Sequence, residues 1–258
     1  VRRLIPLLQV YEKELYKSKH FDHLRYIGDP FVAVKIFNEL QAMEIIIADT
    51  TPAKKGTTIN TQLIGQIASE CFMPVTYAGG IKDVSTASKI LSLGVEKLCI
   101  ASAYHQQPGF IKELVKEFGT STVVACIELK GIKGKTCVTY HSGTKESSLE
   151  PEECVKKLQD DGVGEILVYD LDRDGTMQGG NNDWVKKRKT NFQVPLIYAG
   201  GIGNAKDSLS MFESGASAVA VGSSFVYKGR LNGVLINYPD HRQMPEWTGE
   251  QSFLVKKF

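Results

Sequence analysis

Short, nearly uninterrupted runs of Val, Ile and Leu recur along this chain, separated by longer stretches in which polar and apolar residues mix. Eight runs stand out: Leu4 to Val10, Ile45 to Asp49, Val75 to Ala78, Lys97 to Ala101, Val123 to Leu129, Ile166 to Asp170, Leu196 to Ala199 and Ala218 to Gly222. A strand covered on both faces reads as a continuous apolar run, whereas a strand with one wet face alternates, so the pattern predicts a buried parallel sheet. The stretches between carry helix-start signals. Asp29 precedes Pro30 and the segment Phe31 to Phe37, and Glu150 precedes Pro151 with acids at Glu152 and Glu153, which places Pro in a first helical turn behind a capping side chain. Strand–helix alternation over eight strands predicts an α/β protein with the (β/α)8, or TIM, barrel architecture. Two long connections interrupt the rhythm, Tyr11 to Gly28 and Lys130 to Ser148. They follow the first and fifth strands, where barrel loops lie at the catalytic face, and are expected to be active-site loops.

The pattern is doubled. Ala78-Gly79-Gly80-Ile81 returns as Ala199-Gly200-Gly201-Ile202, an offset of 121 (200 minus 79) that also relates Pro30 to Pro151, Glu44 to Glu165, Asp49 to Asp170, Gly94 to Gly215 and Ser102 to Ser223. So long a period holds several strands and helices, so each copy is half of one domain and not a small stacked repeat. The chain is expected to be a single barrel over residues 1–258, with half-barrels at about 1–120 and 121–230. The tail, 240–258, is polar, with Trp247, Phe253 and Leu254 as isolated anchors; it fits either a docking segment or simple packing.

Composition narrows the function classes. At 258 residues with 42% hydrophobic content, the chain has the length of a typical barrel. Net charge is +2 and the one dense basic run, Lys186-Lys187-Arg188-Lys189, reads as a solvated helix face rather than a nucleic-acid patch. No stretch approaches the roughly 20 apolar residues of a membrane span, and Val1 to Pro6 lacks a signal-peptide core. A cytoplasmic location is expected, with no nucleic-acid or membrane partner. The 5 cysteines (Cys71, Cys99, Cys126, Cys137, Cys154) are odd in number and show no C-x-x-C spacing. With His20 and His23 the only close histidine pair, no metal and no other cofactor is expected.

The glycines suggest chemistry. Gly79-Gly80 and Gly200-Gly201 end the third and seventh strands, while Ala101-Ser102-Ala103 and Gly222-Ser223-Ser224 end the fourth and eighth. Bare backbone N–H groups approach an anion closely, and a following helix N-terminus adds its dipole. Each half is therefore expected to supply one phosphate cradle, and a substrate with a phosphate at each end would fit.

The Pro74 to Ile81 segment, Leu171-Asp172-Arg173-Asp174-Gly175-Thr176 and the doubled two-phosphate barrel together resemble the cyclase subunit family of imidazole glycerol phosphate synthase, over residues 3 to about 228. The resemblance implies a barrel that takes ammonia from a glutaminase and uses it to split and cyclise a bis-phosphorylated aminoimidazole-carboxamide ribonucleotide derivative. It implies phosphate contacts at Gly80, Ser102, Asp174, Gly175, Thr176, Gly201, Gly222 and Ser223, with Lys17 on the first loop either closing over substrate or merely exposed. The family's catalytic aspartates fall at Gln9 and Glu128. Glu128 keeps a carboxylate, but an amide cannot shuttle a proton, and general acid–base catalysis contributes about 10² to 10⁴-fold. Asp174 matches the family and joins the candidate catalytic set. Ala101 stands in place of a phosphate-binding Asn, and Tyr169 in place of a Thr inside the mouth.

Arg3, Glu44, Lys97 and Glu165 precede the first, second, fourth and sixth strands and match the family's charged ammonia gate. Glu96 resembles its acidic docking contact. The resemblance thus implies a glutaminase on the N-terminal barrel face and a phosphorylated small molecule at the other. An intact inlet with an altered proton-transfer pair, together with the segments Phe225 to Arg230 and Val234 to Pro239, resembles paralogues encoded with surface-polysaccharide genes. Those are expected to deliver ammonia for amidine formation on an N-acetylated sugar, with a further amidotransferase subunit. A working histidine-pathway cyclase and a catalytically silent barrel that activates a glutaminase are the other two readings.

Overall fold

The apolar runs form the strands they predict. In the computed structural model, which describes residues 1–250, the barrel strands are β1 (Arg3–Tyr11), β2 (Ile45–Asp49), β3 (Val75–Ala78), β4 (Lys97–Ile100), β5 (Val123–Ile132), β6 (Glu165–Asp170), β7 (Leu196–Ala199) and β8 (Ala218–Val221). All neighbours pair in parallel, and β1 pairing with β8 (Arg3 opposite Ala218 to Pro6 opposite Val221) closes the ring. Outer helices α1 (Pro30–Glu39), α2 (Thr61–Glu70), α3 (Val84–Ser92), α4 (Phe110–Phe118), α5 (Pro151–Asp160), α6 (Asn182–Arg188) and α7 (Ala205–Ser214) follow the first seven strands. The helix-start signals work as read. Asp29 accepts hydrogen bonds from Phe31 N at 2.6 Å and Val32 N at 3.3 Å, and Glu150 and Glu153 close a capping box at α5. Each such cap stabilises its helix by about 1 kcal/mol.

Because successive strand side chains point to opposite faces, one parity of each strand fills the barrel and the other meets the helices. Leu4, Leu8 and Val10 pack outward with Ile45, Ile47 and the helical Phe37, whereas Ile5, Leu7, Ile46, Cys99, Val124 and Leu167 form a separate interior core.

The two long connections are not irregular loops. The first is a β-hairpin, Glu14–Lys19 with Asp22–Gly28, that extends β1 by antiparallel pairing. In the second, β5 runs on to Ile132, pairs antiparallel with Lys135–Tyr140, and that strand pairs with Lys145–Glu146. Both hairpins stand over the C-terminal ends of the barrel strands, so their sites rest on paired backbone instead of free loop.

Among the described residues no long helix follows β8: Ser223–Val226 is a single short turn, and a small hairpin, Tyr227–Lys228 with Gly233–Val234, leads to Tyr238, whose hydroxyl donates to Leu4 O at 2.9 Å. The described part of the tail packs against the body. A short helix at Met244–Thr248 buries Met244 and Thr248, Trp247 lies against Phe225 with ring centroids 5.3 Å apart, and Arg2 Nη1 donates to Thr248 O at 2.6 Å. Phe253 and Leu254 lie outside the described residues. In the basic run, Arg188 is not simply solvated, since Nε pairs with Glu152 at 2.7 Å and the guanidinium covers the Trp184 ring. Among the described residues no helix is long and apolar enough to cross a membrane, and no group of three or more His, Cys, Asp or Glu is arranged to hold a metal ion.

Candidate functional site

Two cavities open at the C-terminal mouth of the barrel. The larger, about 340 Å³, is bounded by Gly79, Gly80, Ala101 and Ser102 on one side and by Glu128 and the turn at His141 and Ser142 on the other, over a floor that includes Ile46, Cys99 and Leu167. The smaller, about 20 Å³, is bounded by Lys17, Asp174, Gly175, Gly201, Gly222 and Ser223. The half-barrel repeat is visible in how the glycines sit. A Cβ on Gly79 would collide with the Asp49 carbonyl, and one on Gly200 with the Asp170 carbonyl, both at positive φ, so only glycine fits either turn. Tyr77 donates to Asp49 at 3.4 Å, and Tyr198 to Asp170 at 3.2 Å, 121 residues on (198 minus 77).

The cradles differ where the repeat was silent. Ser102 Oγ in the first accepts from His141 N at 3.1 Å, so it is held by the second hairpin. Ser223 Oγ in the second is buried without any hydrogen-bond partner. Such a group normally marks an unfilled ligand or water position. Lys17, expected on a mobile loop, is instead 3% exposed and reaches the bare face of Gly222, where a Cβ would overlap its Nζ. Burial lowers its pKa, opposed by the charge of Asp174. An ammonium next to an orphan hydroxyl and a glycine turn suits an anion. The cavity itself has room for about one water, so a phosphate enters only if Lys17 shifts.

Gln9 borders neither cavity. It is buried in a network that its amide completes: Nε2 donates to Ser18 Oγ at 2.8 Å and to Tyr169 Oη at 3.2 Å, while Oε1 accepts from Ser18 N at 2.9 Å. Tyr169 in turn donates to Asp174 Oδ1 at 2.9 Å, and Asp174 Oδ2 accepts from the Ser18 hydroxyl and from Phe21 N at 3.1 Å. An aspartate at position 9 could not supply the two donated bonds and would set a second carboxylate into the same buried network. The amide is therefore the residue that fits Tyr169 and Asp174. Asp174 lines the small cavity, but its oxygens bind the hairpin and Tyr169. Thr176 departs from expectation: its hydroxyl donates to Arg173 O at 2.8 Å and it borders neither cavity, whereas Met177 does border the small one.

Glu128 lies across the mouth in the large cavity, caught by a turn in which His141, Ser142 and Gly143 all have positive φ. Successive left-handed residues turn their N–H groups to one side, and Gly143 N donates to Oε2 at 2.8 Å, Ser142 N more weakly to Oε1 at 3.4 Å. Burial nevertheless outweighs these bonds and pushes the carboxyl up to about 7. That value suits proton exchange near neutrality.

At the opposite, N-terminal end, strand parity brings Arg3, Glu44, Lys97 and Glu165 to the interior side, since each shares the parity of its strand's inward residues Ile5, Ile46, Cys99 and Leu167. Arg3 grips Glu165 with both terminal nitrogens, at 2.8 and 3.3 Å, and reaches Glu44 at 3.2 Å; Lys97 binds Glu165 at 2.6 Å. Burial raises Glu44, with Arg3 and Lys97 opposing; at Glu165 burial pushes the same way, but the bonds from Arg3 and Lys97 win and the carboxyl is lowered. Glu96, beside Lys97, is exposed on this end.

Sequence reading thus singled out both glycine turns, Glu128, Lys17 and the four charges at the N-terminal end, and did not single out Ser18 and Phe21, which only hairpin formation brings to the mouth.

Comparison with known proteins agrees with this geometry. The family model described as histidine biosynthesis protein matches residues 3–232. A provisionally named imidazole glycerol phosphate synthase subunit, hisF2, of Pseudomonas aeruginosa is 40% identical over 93% of this chain and 96% of its own. The provisionally named hisF3 subunit of Vibrio vulnificus is 42% identical over 92% of each chain, and the imidazole glycerol phosphate synthase subunit HisF of Petrotoga mobilis 33% identical over 88% of this chain and 90% of its own. With a closed eight-stranded barrel and similarity over nearly its whole length, the chain belongs to the histidine biosynthesis protein family, as a HisF-like member of the imidazole glycerol phosphate synthase cyclase subunits.

Proposed function

We propose that the protein is the synthase subunit of a glutamine amidotransferase complex: a glutaminase docks on the N-terminal barrel face, and ammonia passes the Arg3–Glu44–Lys97–Glu165 ring to a phosphorylated substrate at the mouth. The observation that carries this reading is the ring itself, four inward charges in hydrogen-bonded pairs below an apolar interior. A merely structural rim gains little from such an arrangement, because charges drawn out of water often repay no more than their desolvation cost even when they pair. The Gln9 amide, fitted to Tyr169 and Asp174, argues for a reaction other than the family's acid–base cyclisation, and amidine formation on a surface-polysaccharide sugar, with a further amidotransferase subunit, is the reading we favour. The higher identity to the hisF2 and hisF3 chains than to the HisF of Petrotoga mobilis supports a paralogue.

A histidine-pathway cyclase is the second reading. It is favoured by Glu128, which titrates near neutrality inside a cavity of ligand size. Turnover of the family's bis-phosphorylated substrate with ammonium salt separates the two. The paralogue reading expects a rate at least about 10²-fold below that of a cyclase bearing the aspartate pair; a comparable rate overturns it.

A further inference from the structure

Two side chains, Tyr169 and Leu7, border both cavities. Tyr169 rises from β6, which is paired on both sides by β5 and β7, and it borders both cavities. Its ring meets the edge of Phe21 at 4.9 Å with the planes at 81°, so the first hairpin closes the gap above it. Below it Leu7, which also borders both cavities, completes the partition. The hydroxyl is fixed from two directions, by the Gln9 amide and the Asp174 carboxylate, and all three side chains are buried. Swinging the ring aside would leave those groups short of partners inside the protein, where an unmet polar group is costly. Gly80 and Ser102 face only the large cavity; Gly201, Gly222 and Ser223 face only the small one.

We propose that Tyr169, positioned by Gln9 and Asp174, partitions the mouth, so that the barrel takes a singly phosphorylated organic ligand and not one bisphosphate bridging both cradles. The proposal rests on reading the glycine turns as phosphate cradles, and it narrows the substrate class of that site. The organic ligand lies in the large cavity with its phosphate at Gly80 and Ser102 and its body over Ile46, Cys99 and Leu167, within reach of Glu128. The second cradle, walled by Lys17 and Ser223, holds about one water as it stands and takes free phosphate independently once Lys17 shifts aside. This departs from the expectation that a substrate with phosphates at both ends fits.

The test is a calorimetric titration of the full chain with inorganic phosphate, a long flexible alkanediol bisphosphate and the matching monophosphate. When one ligand reaches two sites at once, apparent affinity rises by about 10² to 10⁴-fold without any new contact. The wild-type protein is expected to bind two phosphates independently and to favour the bisphosphate over the monophosphate by no more than roughly 3-fold, little beyond the statistical advantage of two ends. Tyr169→Thr is expected to gain at least about 10²-fold for the bisphosphate, and Tyr169→Phe, which keeps the packed ring but frees it from Gln9 and Asp174, about 10-fold. A bridging gain of about 10² in the wild-type protein overturns the partition while leaving the cradles intact, and so does a folded Tyr169→Thr with no gain. If phosphate binds neither cradle in the wild-type protein, the cradle reading itself fails and the proposal with it.

Discussion

At the scale of the residue, Gln9 and Glu128 show one pseudo-symmetric pair put to two uses. Gln9 is an internal donor that locks Tyr169 and Ser18, while Glu128 is a buried carboxyl held between desolvation and a turn of N–H groups. The second case has a thermodynamic consequence. Burial places Glu128 at about 7, against an ordinary 4.5, so between those values the native protein binds more protons than the unfolded chain. Stability therefore falls as pH rises from about 4.5 to about 7, and the penalty is complete above the folded value, on the order of 3 kcal/mol. Glu128→Gln removes the ionisation. The variant is expected to show a higher urea midpoint than wild type at pH 8 and a difference that shrinks towards zero by about pH 4.5; a difference independent of pH contradicts the assignment.

At the scale of the element, the tip of the first hairpin is fastened to the barrel through Asp174. Asp174 accepts from Ser18 and Phe21 N, and its own carbonyl accepts from His20 N at 3.0 Å, so the Glu14–Gly28 segment is tied down at its tip as well as along β1. Removing the carboxylate deletes two bonds to the hairpin and one to Tyr169, each worth about 1.5–3 kcal/mol when one partner is charged. Asp174→Ala is thus expected to speed backbone amide exchange at residues 14–28 by at least about 10-fold, with the exchange of β2 to β4 unchanged, because local opening follows local stability. Uniform acceleration through the barrel would show that Asp174 supports the whole fold instead. The second hairpin makes the parallel connection at the other half, through His141 N to Ser102 and Gly143 N to Glu128.

At the scale of the whole molecule, the two ends of the barrel carry different chemistry on one set of strands. The strands that place Gly80, Ser102 and Glu128 at the mouth begin at or near the charged ring, with the apolar interior between. Lys97→Ala removes one of the two cations that hold Glu165 ionised, and leaves Arg3 shared between two carboxylates. With a cognate glutaminase, glutamine hydrolysis is expected to continue while ammonia escapes at the joint, so that glutamine-driven product formation falls several-fold and ammonium-driven formation does not. Equal loss by both routes, or no loss by either, argues that the ring has no part in ammonia passage.

The sequence by itself determined the barrel, its doubling and where most of the proposed site positions lie in it, because these follow from short-range rules. Continuous apolar runs need burial on both faces, Asp29 and Glu150 cap the helices that follow them, and residue parity alone sends Arg3, Glu44, Lys97 and Glu165 inward. The 121-residue repeat predicted two equivalent cradles for the same reason, since strand-end glycines recur wherever Asp49 and Asp170 carbonyls press against them. What the tertiary structure decided is how unlike the cradles are. Ser18, Phe21 and Lys17 reach the mouth only when Glu14–Lys19 pairs back on β1, and Tyr169 divides the mouth only because Gln9, 160 residues away, and Asp174 hold its hydroxyl. No periodicity encodes such a contact: it joins β1, β6 and a hairpin tip through hydrogen bonds between side chains, and its energy comes from satisfying buried polar groups that exist as neighbours only in the closed barrel.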